Sequence, residues 1–101
     1  MFEDLTEKIR RLVDARAVYL FGSQAKGTAR ADSDIDLCVI APTASKRSTL
    51  ALLYLELDCD KPIDILLYTP EEWLHLTADE SSFAYKIKES GVCLYGGQQN
   101  L

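Results

Sequence analysis

The sequence predicts an α/β or α+β domain with a small mixed sheet and helices packed against it. Two patterns carry that expectation: apolar residues at helical spacing alternate with short strand-forming runs, and glycine, proline or a capping residue punctuates the joins. Length supplies a third, because 101 residues hold one core and little besides.

The elements follow in chain order. Phe2, Leu5, Ile9, Leu12 and Val13 recur every three or four residues and mark an amphipathic first helix. Ala17 to Phe21 is an apolar run rich in strand formers, stopped by Gly22. After a loop containing Gly27, Ile35 to Ile40 forms a second strand that Pro42 ends. Leu50 to Leu57 predicts a buried helix, and Ile63 to Leu67, after Pro62, a third strand. Thr69-Pro70-Glu71-Glu72 combines an N-cap, a proline at the first helical position and a capping-box glutamate, so a helix starts at Pro70. Ser81 or Ser82 caps another helix, which carries Phe83 and Ile87 and stops at Gly91. Val92 to Tyr95 is a last short strand, giving a domain over residues 1–95 and a flexible tail over 96–101.

Composition narrows the function classes. Hydrophobic residues make up 48% and charged residues 27%, the balance of a packed protein. No apolar run approaches the ~20 residues of a membrane helix, and Met1-Phe2-Glu3-Asp4 lacks a signal peptide's basic start, so no membrane association and a cytoplasmic address are expected. Cys38, Cys59 and Cys93 are odd in number and far apart, which predicts reduced, mostly buried thiols. The net charge of −5 disfavours a surface built for a long nucleic-acid template. An acidic balance instead suits a protein whose carboxylates gather divalent cations that then attract a polyphosphate.

The chemistry concentrates between Phe21 and Asp36. Residues two apart on a strand share a face, so Asp34, Asp36 and Cys38 lie on one side while Ile35, Leu37 and Val39 face the core. Adjacent carboxylates repel unless a cation sits between them, and a divalent metal resolves the conflict. Asp64 is the lone charge in the apolar run Pro62-Ile63-Asp64-Ile65-Leu66-Leu67, and it joins the other two if its strand lies beside theirs in register. Oxygen ligands of this kind suit Mg²⁺ or Mn²⁺, and two such ions activate an attacking oxygen and stabilise leaving pyrophosphate. Asp64 is the candidate nearest the nucleophile. Gly22-Ser23, directly after a strand, lets a phosphate approach the backbone and offers a hydroxyl donor, with Lys26 and Arg30 near enough to offset phosphate charge.

Each signal has a plainer reading alone. Gly22-Ser23 is more often a simple turn, and Asp34-x-Asp36 equally well a solvated strand face; their joint spacing with Asp64 favours a metal site. His75 is an isolated helical histidine, and Trp73, Phe83, Tyr54 and Tyr85 are better read as core or interface aromatics than as a base-stacking platform.

Gly-Ser, ten residues, then Asp-x-Asp resembles the signature of the DNA polymerase beta-like nucleotidyltransferase superfamily. The run from Gly22 to Leu37, with Ala25-Lys26-Gly27-Thr28-Ala29-Arg30 and Asp32-Ser33-Asp34-Ile35-Asp36 inside it, looks most like the minimal nucleotidyltransferases of bacteria and archaea. The resemblance implies a nucleotidyltransferase fold, catalytic and metal-binding roles for Asp34, Asp36 and Asp64, and nucleotide contacts from Gly22, Ser23, Lys26 and Ser33. It implies ATP as substrate with Mg²⁺, as a pair of ions, or Mn²⁺. It also implies the antitoxin half of a toxin-antitoxin pair, in which AMP passes to a tyrosine of a helical HEPN ribonuclease toxin within a hetero-oligomer. Lys26 departs from the more usual arginine and lacks its bidentate fork. Two further readings stay open: a small-molecule nucleotidyltransferase resembling the aminoglycoside-modifying enzymes, and an antitoxin that acts by binding alone.

Overall fold

The computed structural model describes residues 2–27 and 34–96. Along them run α1 (Phe2–Leu12), β1 (Ala17–Phe21), α2 (Ser23–Lys26), β2 (Ile35–Ile40), α3 (Lys46–Glu56), β3 (Ile63–Tyr68), α4 (Pro70–Thr77), α5 (Phe83–Ser90) and β4 (Val92–Tyr95). The strands make a four-stranded sheet in the order β3-β2-β1-β4. It is mixed, as expected: β2 and β3 are parallel, while β1 is antiparallel to both β2 and β4. The parallel pair needs a crossover, which α3 supplies.

Local chemistry sets the helix ends. In α1, Glu3 and Asp4 occupy the first turn and Arg10 and Arg11 the last, complementing the helix dipole. α3 starts at Lys46, a turn before the expected Leu50, because Ser45 caps it by accepting from the Ser48 amide. Polar first-turn residues carry no apolar period, so the pattern alone places the start too late. α4 has the full capping box at Thr69 and Glu72. Of the two serines offered for α5, Ser82 is the cap, and its hydroxyl accepts from the Tyr85 amide at 3.0 Å.

Both faces of the sheet are covered. Ile35, Leu37 and Val39 join Val18, Leu20, Ile65 and Leu67 in a core roofed by Leu5 and Ile9 of α1 and Leu53 of α3. Each such buried aliphatic contributes roughly 1.5–3 kcal/mol of transfer free energy. On the opposite face Ala17, Tyr19, Cys38 and Ile40 pack beneath Ile87 of α5 and Trp73 of α4. The expectation of a single core side is therefore incomplete: the strand face that carries Asp36 is apolar and covered beyond it. Among the described residues no helix is long and apolar enough to cross a membrane.

Candidate functional site

One end of the sheet gathers the acidic residues. There β1 ends and β2 and β3 begin, with Phe21 opposite Asp36 and Asp36 beside Asp64 in direct register. Strand alternation sets Asp36 on the face of Cys38 and Ile40, but past the edge of the helical cover, so it is half-buried while Asp34 and Asp64 are exposed. Burial, then the charge of Asp64, then that of Asp34 hold the Asp36 carboxyl above its ordinary value. The register that the sequence could offer only as a condition is thus present, and it puts two carboxylates on neighbouring strands roughly 4.8 Å apart along the hydrogen-bonding direction.

The three carboxylates do not close into a ligand set. Among the described residues no group of three or more His, Cys, Asp or Glu side chains is drawn together tightly enough to hold a metal. Asp34 acts on Asp36 through its charge without joining such a group. As a donor set the aligned Asp36 and Asp64, with Asp34 beside them, is all oxygen and suits a hard divalent ion. Cys38 shares the strand face yet is fully buried, with its thiol pushed up to about 12 by burial, so it offers no thiolate. Against expectation, Cys59 and Cys93 are only half-buried.

Gly22 is built against this pair. Its backbone sits at φ 75 and ψ −154, a region reserved almost wholly for glycine. A β-carbon there would strike Oδ2 of Asp36 and lie 3.2 Å from its Cγ. Glycine is required by the carboxylate as well as by any approaching phosphate. Ser23 then opens α2, a single turn in which the Ala25 and Lys26 amides both donate to the Gly22 carbonyl at 3.2 Å. Gly27 ends it in the left-handed region, its amide bonded to the Ser23 carbonyl. Ser23 is half-buried at this end of the sheet and Lys26 is exposed at the far end of the turn. Ser33 and Arg30 lie outside the described residues.

Among the aromatics, Trp73 is half-buried against the core, its ring tilted against Tyr19 at 5.2 Å and against Tyr68 at 5.6 Å. Tyr54 lies on α3, where its hydroxyl accepts from the Ile65 amide at 2.8 Å on edge strand β3. Phe83 is neither core nor remote: 54% exposed, it meets Phe21 edge-on at 5.6 Å. No signal in the sequence joins these two phenylalanines, which lie far apart in the chain.

Comparison with known proteins agrees with this geometry. The family model described as polymerase beta, nucleotidyltransferase matches residues 3–100. The fold is similar to that of a candidate nucleotidyltransferase from Sulfolobus solfataricus, at 15% identity and a TM-score of 0.64 over 96% of this chain and 78% of that one. It is also similar to a chain of a toxin-antitoxin crystal structure with AMP-PNP, at 25% identity and a TM-score of 0.66 over 99% of this chain and 77% of that one. No curated protein matches the chain in sequence. With the family model spanning nearly its whole length and the strand-end carboxylates in register, the chain belongs to the polymerase beta nucleotidyltransferase family.

Proposed function

We propose that the protein is an antitoxin enzyme that transfers AMP from ATP to a tyrosine hydroxyl of a helical HEPN toxin. The observation that carries the reading is the register of Asp36 beside Asp64, with Gly22 packed on Asp36. Asp34, Asp36 and Asp64 would hold Mg²⁺, which supplies charge neutralisation of the triphosphate and of the leaving pyrophosphate. Gly22 leaves the backbone open to the phosphates, the Ser23 hydroxyl donates to them, and Lys26 and Ser33 are the further residues proposed to contact them. In the transfer the acceptor oxygen bonds to the α-phosphorus as the bond from that phosphorus to pyrophosphate breaks. The hydroxyl proton leaves to Asp64, the exposed carboxylate on the outer strand.

The toxin partner is supported by the similarity to a toxin-antitoxin structure, and the nucleotide by the AMP-PNP that accompanies it. Incubation of the purified chain with ATP, Mg²⁺ and the product of the adjacent gene, followed by intact-mass spectrometry, should add one AMP to the partner. Complex formation without that mass gain would leave neutralisation by binding alone, and a gain on an aminoglycoside would favour the small-molecule reading.

A further inference from the structure

We infer that Phe83, braced by Phe21, is a stacking platform for the nucleobase of the nucleoside triphosphate, a binding contact beside the carboxylate pair. The inference rests on the nucleotidyltransferase reading of that pair and adds to it a residue outside the Gly-Ser and Asp-x-Asp signature.

Placement is the first argument. Phe21, Asp36 and Asp64 lie opposite one another on three adjacent strands, so Phe21 stands about one strand spacing, roughly 4.8 Å, from Asp36 and about two from Asp64. Phe21 is also the residue before Gly22 and Ser23. The aromatic pair therefore sits at the phosphate-loop end of the row, and Asp64, the proton acceptor proposed above, sits at the other. A nucleotide held by Gly22, Ser23 and the carboxylates has the phenylalanines beside it, while an acceptor enters over Asp64.

Exposure and chemistry supply the second argument. Phe83 is the first residue of α5, one turn before the buried Ile87 on the same side of the helix, and at that helix end it stays 54% exposed. Leu55 and Leu74 are more exposed, at 79% and 76%, but Leu55 belongs to α3 on the opposite face of the sheet and Leu74 has no aromatic ring to stack. Phe83 is held by an edge-to-face contact, with the two rings inclined at 85°. Such a contact fixes a ring by its quadrupole while leaving surface for a second partner. A base presents a π-face to such a ring whatever its hydrogen-bonding edges, and stacking of this kind tolerates sequence.

Titration calorimetry on the full chain with Mg²⁺ tests this, using ATP and tripolyphosphate as separate probes. Phe83→Ala should weaken ATP about tenfold and leave tripolyphosphate unchanged, with an unaltered melting temperature. Phe83→Trp should bind ATP at least as tightly as wild type. Equal loss of both probes in Phe83→Ala, or loss of neither, would overturn the platform, as would unchanged ATP binding with a raised KM for the acceptor protein. Wild type binding tripolyphosphate as tightly as ATP would refute the platform and spare the carboxylate site. Wild type binding neither would remove the site reading and the platform together.

Discussion

Gly22→Ala offers a test of the site that needs neither nucleotide nor partner. Two costs arise. Alanine at φ 75 and ψ −154 occupies a region essentially confined to glycine, at about 1–3 kcal/mol. Its new methyl would also overlap Oδ2 of Asp36; swinging that carboxylate aside costs roughly 0.5–1.5 kcal/mol of off-rotamer strain. The sum, ~1.5–4.5 kcal/mol, should lower the melting temperature of a domain this size by on the order of 10–30 °C. Asp36→Ala separates the two parts, since it removes Oδ2 and Cγ and leaves only a β-carbon 3.5 Å away, an ordinary contact. In that background Gly22→Ala should cost just the backbone part, about 1 kcal/mol less than in wild type. Urea melts of the four proteins measure the cycle. A Gly22→Ala protein as stable as wild type would refute the strained backbone, and equal costs in both backgrounds would refute the contact between glycine and carboxylate.

Other outcomes follow from the same geometry. The folded pKa of Asp36 is raised, so its contribution to stability is present below the unfolded carboxylate pKa and is lost as pH rises through the folded value. Metal-free Asp36→Asn should therefore melt above wild type at pH 7, with the gap closing as the buffer is taken below the carboxylate range; a constant gap would deny the titration. The same variant should lose nucleotidyl transfer in a radiolabelled ATP assay, whereas Ser23→Ala should lose less, because one hydroxyl hydrogen bond is worth only ~1–3 kcal/mol. Tyr54→Phe strips the partner from the Ile65 amide and should cost about 1 kcal/mol in urea unfolding, with m unchanged. Thr69→Ala opens the α4 capping box and should also cost about 1 kcal/mol, measured the same way.

The elements legible from the sequence were those with a period or a cap. Both carboxylate strands and the Pro70 start of α4 follow from residues a few positions apart, whereas the α5 cap is narrowed by sequence only to Ser81 or Ser82. What escaped was either too short or non-local. α2 has four residues between two glycines, less than one apolar repeat, so it read as loop. Asp64 was expected as a charge inside an apolar strand, but β3 is an edge strand and Asp64 is exposed at its start. The half-buried member is Asp36, on the inner strand. The cover over Cys38 comes from α4 and α5, which lie more than 30 residues onward, and alternation along β2 cannot foresee it. The Phe21–Phe83 contact is hidden for the same reason.

The strand order also has a dynamic consequence. Asp36 belongs to β2, which is hydrogen-bonded on both sides and whose Ile35, Leu37, Cys38 and Val39 are fully enclosed. Asp64 belongs to β3, which has one strand neighbour and, on its outer side, the hydroxyl of Tyr54 at the Ile65 amide. Amide protons of β2 should exchange only on global unfolding, while those of β3 exchange through local opening of the edge. The two carboxylates thus straddle a boundary between a slow strand and a breathing one. Whatever zips β3 shut fixes their spacing, so deuterium uptake along β3 reports whether the acidic pair is assembled.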